Sequence, residues 1–457
     1  VYDVAIIGGG PGGYASALYA HNFGLSVALI ERDLIGGTCL HRGCIPAKSW
    51  LHTAEVFSTV SHAAEFGVDA DPPTLNWARA LERKNAIVHQ LHQGVTGLLK
   101  RRKVDLFDGT GRIVLPGAVD VNGRDGSTQR IEARSIILAT GSAPRSIPGY
   151  EFDGVRIVSS DHALDWPARP DRVAVIGAGA IGAEFASLLV DLGSEVHLFE
   201  MMDQVVPGAD PAAARVLHRA LEHRGVSIHV GTQVGPPMMT HEGVVVPYGD
   251  TSVEVDVVLV AVGRAPVIEG SGIEKSRARL ERGFVHVDPA TMETDERGVY
   301  AVGDIVAGTP QLAHAAFAEG MAAITHIGTG EADPVDYRAI PLIVYTEPEL
   351  ASVGLTEEQA KAAGYDVTTT RHGFGGVARA MIQGRTDGTV KLVVEKDGPI
   401  LGATIAGPAA GELIHELVFA VGWEALPAEA AAFIHAHPTL AEAVGETLLS
   451  AAGRSLH

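Results

Sequence analysis

Residues 2–31, YDVAIIGGGPGGYASALYAHNFGLSVALIE, and residues 171–200, DRVAVIGAGAIGAEFASLLVDLGSEVHLFE, repeat one pattern at an offset of 169 residues. Each copy reads as an apolar strand, a G-x-G-x-x-G turn, a helix rich in small residues, a glycine-marked turn, a second apolar strand and a terminal Glu. A single G-x-G-x-x-G is weak evidence. Here both copies stand between strand and helix and end in an acid 23 residues after the first glycine, the spacing of a dinucleotide-binding βαβ unit. Gly8 and Gly177 suit the tight turn, Gly10 and Gly179 the approach of backbone to a pyrophosphate, and Gly13 and Gly182 the packing of helix on strand. Phosphate would then meet the helix N-termini, and Glu31 and Glu200 would accept from ribose hydroxyls. Two such units predict an α/β chain with two Rossmann-like domains.

Other apolar runs close on glycine too: SIILATGSAPR at 135–145, DVVLVAVGRAP at 256–266 and GVYAVGD at 298–304. Each reads as a buried parallel strand ending where backbone could meet a ligand. From about residue 337 the texture changes. TVKLVVEKDGPILGATIAG at 389–407 reads as strands about an Asp-Gly turn, and EALPAEAAAFIHAHPTLAEAVGETLLSAAG after it as helical, so an antiparallel sheet with helices is expected. With 457 residues and ~150 per domain, about three domains fit. A net charge of −20, from 35 basic and 55 acidic residues, weighs against a nucleic-acid or anionic-membrane partner. The N-terminal VYDVAIIGGGPGG lacks the features of a signal peptide and no apolar run reaches ~18 residues, so a cytoplasmic location is expected.

The only two cysteines, Cys39 and Cys44, lie in GGTCLHRGCIPAK at 36–48. In a reducing compartment a close pair is more often redox-active or metal-binding than structural. A metal site needs two further ligands, which nothing nearby supplies, so no metal is expected. In a straight helix a C-x4-C pair is separated by ~7.5 Å of axial rise, above the ~7 Å Cα limit for a disulfide, so a bridge would need a bend, for which Gly43 is well placed. Pro46 fits only the first turn of a helix, which sets Cys44 near an N-terminus where the dipole favours thiolate. Two buried free cysteines are the other reading of the spacing. Thiol exchange needs a base, and HAHPTLAEA offers His437 with Glu442 five residues on, an acid able to orient the imidazole and raise its basicity. His435 pairs with it as H-x-H, but two ligands do not make a metal site, and His435 reads as structural or as support for His437.

The segments GGGPGG, GGTCLHRGCIPAK, ATGSAPR, GAGAIGAE, VGRAP, YAVGD, QLAHAAFAEG, YTEPELASVG and HAHPTLAEA follow one another as in the flavoprotein disulfide reductases, class I of the pyridine nucleotide-disulfide oxidoreductases. The chain resembles this family nearly end to end, and within it the dihydrolipoamide dehydrogenases. The resemblance implies an FAD-binding domain over 1–148 with a redox disulfide, an NAD-binding domain over 149–268, a central domain over 269–336 completing the FAD site, and a C-terminal α+β dimerisation domain over 337–457. For FAD it implies Gly8, Gly10, Gly13, Glu31, Lys48, Gly111, Thr140, Gly141, Ser142, Asp304 at the ribityl chain, and Gln311, Leu312, Ala313 and His314 along the isoalloxazine. For NAD it implies Gly177, Gly179, Gly182, Glu184, Glu200, Val234 and Gly263. By the same resemblance Cys39 is the thiol that exchanges with substrate and Cys44 the thiol facing the flavin. Lys48 lies near flavin N5 with Glu184 as its carboxylate partner, and His437 is the base, held by Glu442 and reaching the disulfide of the other subunit of a homodimer.

NADP recognition wants a cation near the 2′-phosphate, whereas MMDQVV after Glu200 has none and adds Asp203, so NAD is expected. That argues against the glutathione, mycothione and trypanothione reductases, which typically use NADPH. Mercuric reductase and the larger thioredoxin reductases need redox residues beyond AAGRSLH, and soluble transhydrogenase lacks the cysteine pair. The implied reaction oxidises dihydrolipoamide on a lipoyl-carrier protein through Cys39, Cys44 and FAD, and reduces NAD. His41, Ala47 and FGGVARA at 374–380 depart from the family's usual residues and bear on the partner rather than on the redox chemistry. The rival readings are an NADH-dependent reductase of another small disulfide or a quinone, and a non-enzymatic lipoyl-protein-binding module.

Overall fold

The computed structural model describes residues 1–115 and 117–456. They fall into two compact units, one of Val1–Ser49, Ala78–Pro144 and Arg264–Val335, the other of Trp50–Trp77, Arg145–Gly263 and the chain from Asp336 onward.

The first unit is built on a sheet whose parallel part runs, in spatial order, Asp105–Leu115, Val27–Glu31, Tyr2–Ile7, Thr128–Leu138 and Val299–Ala301. Val4, Ala5 and Ile6, and Ala28, Leu29 and Ile30 beside them, have no exposed surface, as expected of strands covered on both faces. The outer halves of Asp105–Leu115 and Thr128–Leu138 leave the parallel layer and pair antiparallel with Ala118–Gly123. Helices Pro11–Tyr19 and Ala313–Thr329 meet through small residues: a Cβ on Gly320 would stand 2.5 Å from Ser16 Oγ and 2.9 Å from the Gly12 carbonyl oxygen.

The second unit contains two sheets. One is parallel, in the order Ser227–His229, Glu195–Phe199, Arg172–Ile176, Val257–Val260, Ile157–Val158. The repeat seen in the sequence is a repeat of register. Val4 to Ile7 pair with Val27 to Ile30 in the first unit, and Val173 to Ile176 pair with Val196 to Phe199 in the second. The other sheet is antiparallel, in the order Leu342–Val344, Glu349–Gly354, Ile400–Gly407, Thr389–Glu395, Val367–Gly373, and is covered by helices Ala410–Gly422 and Glu442–Ala451. The Asp-Gly turn at 397–398 joins the two strands read around it. One expectation is corrected: 424–453 is not continuously helical. After the short helix Pro427–Ala430 the chain is irregular to residue 441, because Pro438 lacks an N–H and its ring turns the preceding His437 away from the helical region.

Between the sheets of this unit Lys391 is buried, its Nζ 2.7 Å from Asp210 Oδ2 and 2.9 Å from Glu357 Oε2. Asp210 caps helix Pro211–His223 by accepting from the Ala212 N–H at 2.9 Å. Replacing Lys391 with Met would leave the Asp210 carboxylate buried without its cation and should cost about 3–5 kcal/mol at pH 7, measured by urea unfolding. Lys361, then Lys391, hold Glu357 down to about 2. A carboxylate depressed on folding stabilises above its ordinary value and loses that contribution as pH falls through the folded value. The advantage of the unsubstituted protein should therefore be full above pH ~4.5 and shrink towards pH 2.

Candidate active site

The two glycine turns have the same construction. The Gly8 N–H donates to the Ile30 carbonyl at 2.8 Å, and the Gly177 N–H to the Phe199 carbonyl at 2.8 Å. A Cβ on Gly13 would stand 1.8 Å from the Gly8 carbonyl oxygen, and one on Gly182 1.8 Å from that of Gly177. Helix and turn therefore meet at a distance only glycine allows. Glu31 accepts from the N–H groups of Gly9 at 2.6 Å and Asp33 at 2.7 Å; Glu200 accepts from those of Ala178 at 2.8 Å and Met202 at 2.9 Å. Each acid so closes its own loop while its remaining lone pairs stay free for a hydroxyl.

The residues fit nucleotides at both turns. Helices Pro11–Tyr19 and Ala180–Asp191 have extended N-cap glycines, Gly10 and Gly179, with no side chain capping the first-turn N–H groups, so these donors and the dipole face open space. A Cβ at Gly10 would meet nothing nearer than Gly37 Cα at 3.9 Å, and one at Gly179 nothing within 4 Å. Gly141 and Gly263, at the ends of two further strands, are as open. Val234 bridges to Tyr248 at the rim of the second unit's core.

Around Asp304 the first unit holds a polar chain. Arg264 Nε donates to Ser142 Oγ at 2.7 Å, and the Ser142 hydroxyl donates to Asp304 Oδ2 at 2.5 Å. Gln311 donates to the Asp304 carbonyl at 3.1 Å, and Thr140 to that of Val267 at 2.5 Å. Glu319, with no exposed surface, accepts from the Gly303 N–H and so fixes the turn before Asp304. Leu312 is the extended N-cap of helix Ala313–Thr329, whose first two residues are Ala313 and His314. Gly111 lies on the strand Asp105–Leu115, where a Cβ would crowd Ile7 and Ile30. Arg264 stood in the VGRAP segment without a role, because nothing in a linear motif indicates which serine its guanidinium will meet.

The cysteine segment folds against the first glycine turn. The Gly36 N–H donates to the Gly9 carbonyl at 2.8 Å, and Gly37, at φ +56°, lies so near Gly10 that a Cβ would reach 2.6 Å from its Cα. Helix Gly37–Arg42 stops at Gly43, at φ −146° and ψ −115°, and a new helix, Cys44–Ser61, begins with Cys44 and carries Pro46 in its first turn. The cysteines are unbridged and half-buried, with Cys39 hydrogen-bonded to Cys44. That bond, and then burial, push the Cys39 thiol up, while the Lys48 ammonium pulls it down. Sequence reasoning missed Tyr14, which follows Gly13. Burial pushes its phenol up to about 12, and the two cysteines add to this, so Tyr14 stays a protonated hydroxyl near the pair. His41 Nε2 and His92 Nδ1 both stand 2.9 Å from the Ile35 carbonyl oxygen.

In the second unit Glu184 is buried on helix Ala180–Asp191, and its Oε1 accepts from the Tyr345 N–H at 3.0 Å. His437 Nδ1 is 2.8 Å from Glu442 Oε1, and Glu442 Oε2 accepts from the Thr439 N–H at 2.9 Å. The Thr439 N–H, and then His437, hold Glu442 below its ordinary range, which keeps the carboxylate ionised at neutral pH. With Nδ1 engaged and the ring exposed, Nε2 is the nitrogen left to exchange a proton with solvent or substrate. Among the described residues no group of three or more His, Cys, Asp or Glu side chains could hold a metal ion, and no helix is long and apolar enough to cross a membrane.

Comparison with known proteins adds to this geometry. Residues 2–320 match the family described as pyridine nucleotide-disulphide oxidoreductase, and residues 340–448 its dimerisation domain. A dihydrolipoyl dehydrogenase of Bacillus subtilis is 38% identical over 476 residues, covering 100% of this chain and 99% of its own. A leghemoglobin reductase of Vigna unguiculata is 38% identical over 457 residues, covering 98% of this chain and 87% of its own. Among solved structures, LpdA from Mycobacterium tuberculosis superposes with a TM-score of 0.92 at 29% identity, covering 98% of this chain and 99% of its own.

The Lys48 contribution can be read directly. Replacing Lys48 with Met removes the cation that favours ionisation of Cys39, so at pH 8 less thiolate is present. Iodoacetamide alkylation of Cys39, followed by mass spectrometry of the reduced protein, should slow by about 3- to 10-fold.

Proposed function

We propose, for a chain that belongs to the pyridine nucleotide-disulphide oxidoreductase family and carries its dimerisation domain, that the activity is dihydrolipoyl dehydrogenation with NAD as acceptor. Members of this family bind FAD and a pyridine nucleotide. The observation that carries the finer reading is the hydrogen-bonded pair Cys39 and Cys44, packed through Gly36 and Gly37 on the first nucleotide turn, in a chain that also holds a carboxylate-oriented histidine.

His437 Nε2 takes the proton of one substrate thiol, and Glu442 offsets the charge that forms on the imidazole. The substrate sulfur attacks the Cys39 sulfur of the oxidised pair, the bond to Cys44 breaks, and Cys44 leaves as thiolate. The second substrate thiol then closes the cyclic disulfide of lipoamide and releases Cys39, which takes the first proton from His437, while the freed Nε2 takes up the proton of the second thiol. Cys39 keeps its proton through its hydrogen bond to Cys44. FAD, held at the first glycine turn, would supply a two-electron acceptor for the dithiol and a hydride donor for NAD at the second. Gly10 and Gly179 leave the helix N-termini open to the two pyrophosphates, and Lys48 supplies positive charge beside the cysteines.

NAD rather than NADP is favoured by Glu200, whose carboxylate is fixed by Ala178 and Met202, and by residues 201–206, which bring no cation. A homodimer is supported by the dimerisation domain and by Phe419, Trp423, Phe433 and Ile434, which are 59–98% exposed on the helix and loop leading to His437. The partner would be the lipoyl domain of a 2-oxoacid dehydrogenase or another lipoyl carrier.

Anaerobic addition of dihydrolipoamide to the flavin-loaded protein should produce a long-wavelength absorbance band, and adding NAD should then yield NADH whereas adding NADP should yield no NADPH. Flavin that NADH reduces but dihydrolipoamide leaves unchanged would refute the assignment and turn attention to another small disulfide or a quinone. Cys44→Ser should abolish dihydrolipoamide oxidation. Glu442→Gln, which keeps a hydrogen-bond acceptor but no charge, should lower kcat/KM for dihydrolipoamide by about 10²-fold in steady-state assays at pH 8.

A further inference from the structure

The loop that carries His437 holds a second histidine with no part in the steps above. The His435 side chain is 13% exposed, against 73% for His437. His435 Nε2 stands 2.9 and 3.1 Å from the two carboxylate oxygens of Glu416 on helix Ala410–Gly422. The other side of the ring rests on Gly445 of helix Glu442–Ala451, where a Cβ would come within 2.5 Å of Nδ1. An irregular segment is thus gripped between two helices, by a charge pair on one side and by contact with a glycine on the other.

From that grip a continuous set of bonds reaches the base. The Thr439 hydroxyl donates to the carbonyl of Ala436, the residue after His435, at 2.7 Å. The Thr439 N–H donates to one oxygen of Glu442, and the other oxygen holds His437 Nδ1. The charged groups facing His435 are Glu416 and Glu442; both favour the imidazolium, Glu416 the more strongly because it is hydrogen-bonded, and the imidazolium in turn helps keep Glu442 ionised. An exposed histidine on irregular backbone has many poses, and misplacing a reacting group by about 1 Å can cost 10²-fold in rate.

We propose that His435 is a positioning residue: clamped between Glu416 and Gly445, it sets the backbone from which His437 is presented to the substrate thiol. This rests on the reading of His437 as the base of dihydrolipoamide oxidation.

The test uses the flavin-loaded, full-length protein and the variants His435→Ala, His435→Gln, Glu416→Gln, Gly445→Ala and His437→Gln. Two activities are measured, dihydrolipoamide oxidation by NAD and NADH-dependent reduction of a benzoquinone, which needs flavin and nucleotide but no thiol base. His435→Ala and Glu416→Gln should lower kcat for dihydrolipoamide by about 10- to 100-fold, with KM changed less than about threefold. They should also displace the acid limb of the kcat/KM pH profile and leave quinone reduction within about twofold of the unsubstituted protein. His435→Gln, which can still donate to Glu416, should recover part of the rate, and Gly445→Ala, which pushes the ring off its seat, should resemble His435→Ala. A normal kcat and pH profile in His435→Ala would overturn the proposal, as would equal loss of both activities across the set, which marks a purely structural role. Unimpaired dihydrolipoamide oxidation in His437→Gln would overturn the base assignment and this inference with it. A slow His437→Gln beside a normal His435→Ala would overturn the positioning role alone.

Discussion

The contact between the Gly13 α-carbon and the Gly8 carbonyl, with its copy at Gly182 and Gly177, is the constraint from which the rest of the site is built. It lets the helix begin directly at the end of the strand, so that the uncapped N–H groups of the first turn point into open space at the C-terminal edge of the sheet. A side chain at either position would force helix from strand, and the acid at the end of the second strand would lose the N–H groups it closes upon. The two copies repeat this geometry bond for bond, from the glycine N–H on the neighbouring strand to the carboxylate on the following loop.

What separates the copies is what is packed on them. The first turn carries the cysteine segment, whose own glycines approach Gly9 and Gly10 closely enough to set Cys39 and Cys44 beside Tyr14 and Lys48. The second turn is followed by Glu200 and a loop without cations. One scaffold is therefore differentiated by the residues that lean on it, since the fold sets where a site lies and its side chains set the chemistry.

Much of this was legible in the chain. The duplicated motif gives the two nucleotide folds because a glycine requirement is a local steric fact that survives in any context. Gly43 and Pro46 marked the break before Cys44 by equally local means, since glycine tolerates the non-helical backbone between the two helices and proline is confined to the first turn of the next. The base and its acid could be read as a pair because a five-residue spacing keeps them together whatever the surroundings. The helix read over 424–453 was wrong in its middle, because the apolar and small residues of AEAAAFIHAH favour helix while Pro438 and the packing of His435 decide otherwise.

By itself the sequence determined the α/β class, the two glycine turns with their acids, and the local pairings Cys39 with Cys44 and His437 with Glu442, because each depends on residues near one another along the chain. Only the tertiary structure decided that Arg264 reaches Ser142 and Asp304, that Tyr14 lies by the cysteines, that Glu319 fixes the turn at Gly303, and that His435 is held by Glu416 and Gly445. Those contacts join segments separated by up to 162 residues, and which of many polar side chains meet is set by how the sheets and helices pack, a choice that no local spacing carries.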